Sequence, residues 1–221
     1  MKTSILAFNG LNNVGMYGFI TNKYALLGLD VPEKFEEEIK NTLNVPIHKI
    51  SIAGTSFLGA FLSGNEDKLL VPNIAFDEEI AKLKELGIDF EIINTKYTCL
   101  GNNVVVGKKG ILINPELSEA EAKKIANIFS LEFIQKKFAN INSIGSMIVI
   151  NGNKALAASN LKDEEVDYLS EFLGLEITTG TLNMGNQYVK TGILCNENGY
   201  VVGKGTGGPE IVNAEDALFD R

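Results

Sequence analysis

Five short stretches of this sequence, NVGMYGF, FLGAFLS, CLGNNVV, SIGSMIV and NMGNQYV, share one glycine each: Gly15, Gly59, Gly101, Gly145 and Gly185. Successive glycines stand 44, 42, 44 and 40 residues apart. A period of that length marks a fold built from copies of one supersecondary unit. It constrains the architecture more than any local motif, because every copy must follow the same path.

Each glycine opens the same series. An apolar strand is expected first, over residues 17–20, 60–62, 104–106, 147–150 and 188–189. A polar turn follows (TNK, GNED, GKKG, NGNK, NENG), then a second apolar run (YALLG, KLLVP, GILIN, KALAA, GYVVG), which is the composition of a β-hairpin. A helix then starts behind Pro32, Asp77, the Ser118–Glu121 capping box, Asn160 or Pro209. Apolar residues recur along these helices at spacings of three and four, as in Phe35–Ile39–Leu43 and Val166–Leu169–Phe172. The runs IHKISI, IDFEII, LEFIQ and LEITT supply a third strand to the first four units.

The unit is therefore ββαβ. The fifth copy lacks its last strand, and Thr3–Phe8 (TSILAF) precedes the first copy with no partner. Pairing that strand into the fifth unit closes a ring and leaves no sheet edge open. The sequence predicts an α/β fold of five ββαβ repeats around a pseudo-fivefold axis, one domain over 1–221. Its units lie near 11–54, 55–97, 98–141, 142–182 and 183–221, the last completed by the strand at 3–8.

The loop VVGKGTGGPE (201–210) places Gly203, Gly205 and Gly208 in the spacing of a dinucleotide fingerprint, behind a strand and ahead of a helix. Such a site also needs a second strand ending in an acidic residue about 20 positions on. Only Pro209–Arg221 follows here. The same place in the other copies is filled by LDV, NIAF, PEL and SNL, none of which cradles a phosphate. No nucleotide is expected.

No stretch reaches the roughly 18 apolar residues of a membrane span, and the opening MKTSILAFNG carries too short an apolar run for a signal peptide. Two cysteines, Cys99 and Cys195, suggest a reducing compartment without a disulfide framework. These observations predict a cytoplasmic protein. A net charge of −8 argues against autonomous nucleic-acid binding. The acidity collects in PEKFEEEIK and LKDEEVDYL, where it reads as solvated helix faces.

Equivalent loops of a ring gather around its axis. Those at the repeat glycines carry Asn12, Asn13, Thr55, Ser56, Thr98, Asn102, Asn103, Asn142, Ser143, Ser146, Asn183 and Asn186. Turn chemistry accounts for any one of them, but five matched loops read as an interaction rim. Fivefold ββαβ rings resemble the pentein superfamily, whose guanidine-modifying members use a nucleophilic cysteine with a histidine and carboxylates. A thiol nucleophile needs a base within reach. The single histidine, His48, lies in VPIHKISI at a position that reads as solvent-facing. Cys195 stands beside the NENG turn, and Cys99, next to a repeat glycine, has no second histidine to serve it. One histidine and no paired cysteines also leave zinc without a ligand set. No catalytic residue, cofactor or metal is expected.

The stretches SIAGTSFLGAFLSGN, LLVPN, LGNNVVVG and GTLNMGNQYVKTGILCN are similar, more specifically, to the translation initiation factor 6 family of penteins, and with the repeat the resemblance spans the whole chain. The resemblance implies a monomeric, non-catalytic factor that needs no cofactor. It implies binding to the intersubunit face of the large ribosomal subunit, on ribosomal proteins beside the sarcin–ricin loop, which blocks joining of the small subunit. The candidate ribosome-binding interface comprises Asn12, Asn13, Gly15, Ser56, Gly59, Gly101, Asn102, Asn103, Ser143, Gly145, Ser146, Asn183, Met184, Gly185 and Asn186; of these, the resemblance by motif match covers Gly15, Gly101, Asn102 and the Asn183–Gly185 turn, and the others come from the rim. Eukaryotic members resemble GCRIIGRM where this chain reads GTSFLGAF, so Ser56 and Ala60 replace arginines and any phosphate contact of those arginines is in doubt. The alternative is a small-molecule or catalytic pentein acting on guanidino compounds through Cys99.

Overall fold

A computed structural model describes residues 2–220. The repeated sequence folds locally as its turns dictate. In the fourth unit Ile148–Asn151 runs antiparallel to Lys154–Ala158, with Ile148 opposite Ala157, across a turn that sets Gly152 at φ +58°. The helix Asp163–Leu173 follows and stops at Gly174, whose φ of +68° favours a residue without Cβ. Glu176–Gly180 then returns parallel to the middle strand. The other units repeat this order, giving five three-stranded sheets. The middle strands Ala25–Gly28, Leu69–Pro72, Gly110–Ile113 and Gly199–Gly203 are buried at every residue, as strands covered on both faces must be.

The chain's first strand closes the ring. Lys2–Leu6 lies parallel to Gly199–Gly203, with Lys2 opposite Gly199 and Leu6 opposite Gly203. It occupies the place that Glu176–Gly180 holds in the fourth unit. Phe8, expected within this strand, lies beyond it, fully buried and edge-on to Tyr17 at 5.4 Å. The core is cyclic too. Each apolar cluster combines one unit's helix with residues from the preceding sheet. Leu26 joins the cluster of Leu58 and Leu83, Leu70 that of Leu100 and Ile125, and Leu112 that of Leu169 and Leu173. Leu156 joins Val202 and Leu218, and Leu194 and Val201 of the last unit join Phe8 and Ile39 of the first.

Around the axis each unit contributes one four-residue helical turn: Val14–Tyr17, Leu58–Phe61, Leu100–Asn103, Ile144–Met147 and Val189–Gly192. The residue before each turn takes almost the same backbone angles. Asn13, Phe57, Cys99, Ser143 and Tyr188 all have φ between −78° and −87° and ψ between 56° and 68°. Adjacent turns pack on one another and close the circle. A Cβ built on Gly59 would sit 2.1 Å from the Gly15 carbonyl oxygen, on Gly101 2.2 Å from that of Gly59, and on Gly145 2.5 Å from that of Gly101. Glycine is required there for close approach between backbones.

Two expectations change. The inner strands begin after these turns, so residues 60–62 and 188–189 are turn, and the strands are Ser63–Gly64 and Ile193–Asn196. In the fifth unit the residue at the glycine position is Lys190, 45 residues after Gly145. Gly185 belongs to the loop before it, at φ +89° with no atom within 4 Å of a built Cβ.

Candidate functional site

Four units carry a tight loop ahead of the axial turn. Backbone bridges Phe8–Leu11, Ile52–Thr55, Phe138–Ile141 and Leu182–Asn186 flank it. Asn9 and Gly10, Ala53 and Gly54, and Ala139 and Asn140 all have positive φ, as do Asn183, Met184 and Gly185. The last loop is one residue longer, which explains the shift of register: in each of these units the axial position falls four residues after the second bridging residue.

Carboxylates hold three of these loops. Glu210 accepts hydrogen bonds from the backbone N–H of Met184 (3.1 Å), Gly185 (2.8 Å) and Gly207 (2.8 Å), and from the Thr181 hydroxyl (2.8 Å). Glu79 accepts from the N–H of Ala53, Gly54 and Phe76 and from the Ser51 hydroxyl, at 2.7–2.9 Å. Glu165 accepts from Ala139 and Lys162 N–H, both at 3.0 Å. Burial alone would raise these carboxyl pKa values, but the converging hydrogen bonds outweigh it and hold all three below the ordinary carboxylate range. In the sequence only their counterpart in the third unit, Glu121, stands out, through its capping box with Ser118. The missed signal is the recurrence of glutamate at the third helical position, at 79, 121, 165 and 210.

The residues singled out in the sequence divide by depth. Asn12, Met184 and Gly185 are exposed, while Asn13, Asn102, Ser143, Asn183 and Asn186 are half-buried. Gly15, Gly59, Gly101 and Gly145 are buried in the axial packing. At Gly101 the space a side chain would take is filled by the chain's own backbone, from the second unit. Ser56 is buried and its hydroxyl accepts from Asp30 N–H at 3.0 Å. Asn103 is buried, donating to the Cys99 carbonyl and accepting from Asn114, and the Ser146 hydroxyl donates to the Ser143 carbonyl at 2.8 Å. Units five and one meet where Asn183 donates to the Asn12 carbonyl at 3.0 Å. Met184, already among the interface residues, is 87% exposed, and large apolar side chains that the sequence did not mark stand near those residues in the chain: Leu11, Phe57 and Tyr188 are 51%, 38% and 45% exposed.

The axial turns leave a cavity of about 290 Å³, lined in part by Asn102, Ser143, Tyr188 and Lys190. Neither thiol is activated: burial pushes Cys99 up from its ordinary value and Cys195 up to about 12. His48 lies half-buried in the strand Ile47–Ile50, opposite Leu26. Among the described residues no group of three or more His, Cys, Asp or Glu is placed to hold a metal ion, and no helix is long and apolar enough to cross a membrane.

The glycine-rich loop has a packing role. A Cβ on Gly203 would lie 1.9 Å from the Asn12 carbonyl oxygen, and one on Gly205 2.7 Å from the Asn12 amide nitrogen. The N-terminus of the helix Gly208–Leu218, where a pyrophosphate would dock, is occupied by the Glu210 carboxylate.

The comparisons with known proteins agree with this geometry. Residues 3–217 match the eIF-6 family. Proteins named translation initiation factor 6 are similar along their whole length. That of Pyrococcus abyssi is 37% identical over 224 residues, covering 99% of each chain. That of Pyrobaculum aerophilum is 32% identical over 209 residues, covering 95% of each. Among solved structures, a dimethylarginine dimethylaminohydrolase superposes with TM-score 0.55 at 12% identity, covering 79% of this chain and 69% of that one. The N-terminal domain of ArgZ gives 0.53 at 10% identity, covering 86% and 76%. At such identity these two share the pentein fold and nothing further is carried across. By its sequence, the chain belongs to the eIF-6 family.

Proposed function

We propose that this protein is a cytoplasmic, monomeric translation initiation factor that binds the intersubunit face of the large ribosomal subunit and thereby prevents association with the small subunit. The names of its relatives support the first part of this reading. The binding surface is the rim formed by Asn12, Asn13, Asn183, Met184 and Asn186, with the exposed Leu11 and Tyr188. One observation carries it. Met184, an 87% exposed apolar side chain, sits on a left-handed loop whose backbone Glu210 fixes. An apolar anchor on a rigid loop, ringed by uncharged hydrogen-bonding groups, suits docking on ribosomal protein surface with little ordering cost. Contact with the sarcin–ricin loop then rests on backbone and amide groups, because Ser56 and Ala60 bring no arginine to this face. The protein acts by steric exclusion, with no cofactor and no chemistry; thiols held protonated fit that role.

The test is subunit joining. Purified large subunits incubated with the protein should sediment with it and fail to form couples when small subunits are added. Turnover of arginine or agmatine by the same preparation, without binding to large subunits, would replace this reading with a guanidino-modifying enzyme.

A further inference from the structure

Lys190 stands where the other units place glycine, and its side chain crosses the axis. Its Nζ donates to the carbonyl oxygen of Gly101, in the third unit, at 2.7 Å. An ammonium has three N–H donors, and this is the one protein hydrogen bond found for it among the described residues. Lys190 lines the axial cavity, and no carboxylate is among the lining residues. Lys190 is half-buried, and a cation even partly withdrawn from water without a counter-charge is costly. Burial accordingly pushes its pKa down to about 8, with no charged neighbour contributing.

The neighbours complete a donor set. Asn102 and Ser143 line the same cavity, and neither their amide nor their hydroxyl has a hydrogen-bond partner among the described residues. Tyr188 also lines the cavity. By contrast, Ser146 and Thr191 already spend their hydroxyl protons on the carbonyls of Ser143 and Tyr188, both at 2.8 Å. One unbalanced cation, one free amide and one free hydroxyl thus converge on about 290 Å³ that holds no negative charge.

We propose that this axial cavity binds a small oxyanion, a carboxylate or a phosphate, through Lys190, Asn102 and Ser143. The oxyanion supplies the counter-charge the fold omits and takes up the unspent ammonium donors. Its source is either a free ion or an acidic group presented by whatever covers the rim. Charge-assisted hydrogen bonds of this kind contribute enough that losing the ammonium weakens binding about tenfold or more.

The experiment has two arms. In the first, the isolated full chain at pH 7 is titrated with inorganic phosphate or with acetate, at an ionic strength held constant with chloride. The Asn102 side-chain amide is followed by NMR, and the melting temperature alongside. A saturable shift in the wild type that weakens about tenfold or more in Lys190→Met, and by a smaller factor in Asn102→Ala, supports a free oxyanion. If Lys190→Met does not fold, Lys190→Gln and Asn102→Ala carry the comparison. A saturable shift of equal affinity in wild type and variants overturns the proposal.

In the second arm large subunits replace the small ions. If the wild type ignores free phosphate and acetate, yet Lys190→Met loses affinity for large subunits about tenfold, the oxyanion belongs to the partner. If free ions have no effect and Lys190→Met binds subunits as the wild type does, the proposal is wrong, while the rim reading stands. The first arm uses no ribosome, so it also survives a failure of the rim reading.

Discussion

At four positions on its axis the chain carries no side chain, and at the fifth it carries one of the longest. Gly15, Gly59, Gly101 and Gly145 let carbonyl oxygens of neighbouring turns approach to where a Cβ would stand. Lys190 occupies the same step of the repeat and spans the ring to reach Gly101. A ring tightened by four glycines has little slack, so a long side chain there must run through the axial space. The outer rim obeys a different rule: there the backbone is fixed by glutamates from the helices, and side chains such as Met184 remain free.

The largest expected effect tests closure of the ring itself. Removing residues 2–8 exposes the edge of Gly199–Gly203 and takes Phe8 from the core, and truncating one such aromatic already costs about 3–5 kcal/mol. The truncated chain should be unfolded or aggregated by circular dichroism and size exclusion. A melting temperature equal to the wild type contradicts closure.

Next comes the contrast between the two kinds of glycine. Gly59→Ala drives a Cβ to within 2.1 Å of a backbone oxygen and should cost about 3 kcal/mol or more, read in chemical denaturation. Gly185→Ala meets no atom and carries only the strain of φ +89°, about 1 kcal/mol. Equal costs would erase the distinction between axis and rim.

Lys190 gives a pH signature. Its folded pKa of about 8 lies below the ordinary 10.5, so between those values the unfolded chain binds more protons. Stability attributable to this group therefore rises with pH across that window, by up to about 3 kcal/mol. The elements packed most closely on its turn bring Tyr17, Lys154 and Cys195 as ionisable groups, and Lys154 is paired with Asp220 at 3.1 Å. Cys195 and Tyr24, both pushed up to about 12, change stability in the opposite sense in any variant. The difference between Lys190→Met and wild type isolates the lysine. The variant should be the more stable at pH 7, and its advantage should shrink toward pH 10.

Much of this architecture is legible in the sequence because apolar periodicity and turn residues repeat, and burial enforces both. The closing strand can be read from a missing partner alone. The fifth unit's register cannot, because its loop is one residue longer and its glycine, Gly185, lands where the repeat leads one to expect the axial one. Lys190 escapes a local reading, since nothing in its neighbours assigns a lysine to an axis. Ser56 and Asn103 look like surface polar residues, yet each is buried against a specific partner, Asp30 N–H and Asn114. The rim's polar positions are visible in the sequence. Apart from Met184, its exposed apolar members are not, because hydrophobicity alone does not tell Leu11 or Tyr188 from a core residue.

Paired variants of rim and outer helix face test the central claim most directly. Met184→Asp with Tyr188→Ala alters two exposed rim side chains, whereas Glu78→Lys with Glu164→Lys changes two exposed carboxylates on the helices. Co-sedimentation with purified large ribosomal subunits is measured for both, with circular dichroism confirming the fold. Losing a buried apolar anchor and burying a charge in its place should weaken binding by roughly a hundredfold. The account predicts that the rim variant stays in the supernatant while the helix variant pellets with the subunits. A rim variant that pellets like the wild type, with the helix variant left behind, places the binding surface on the helices instead of the rim.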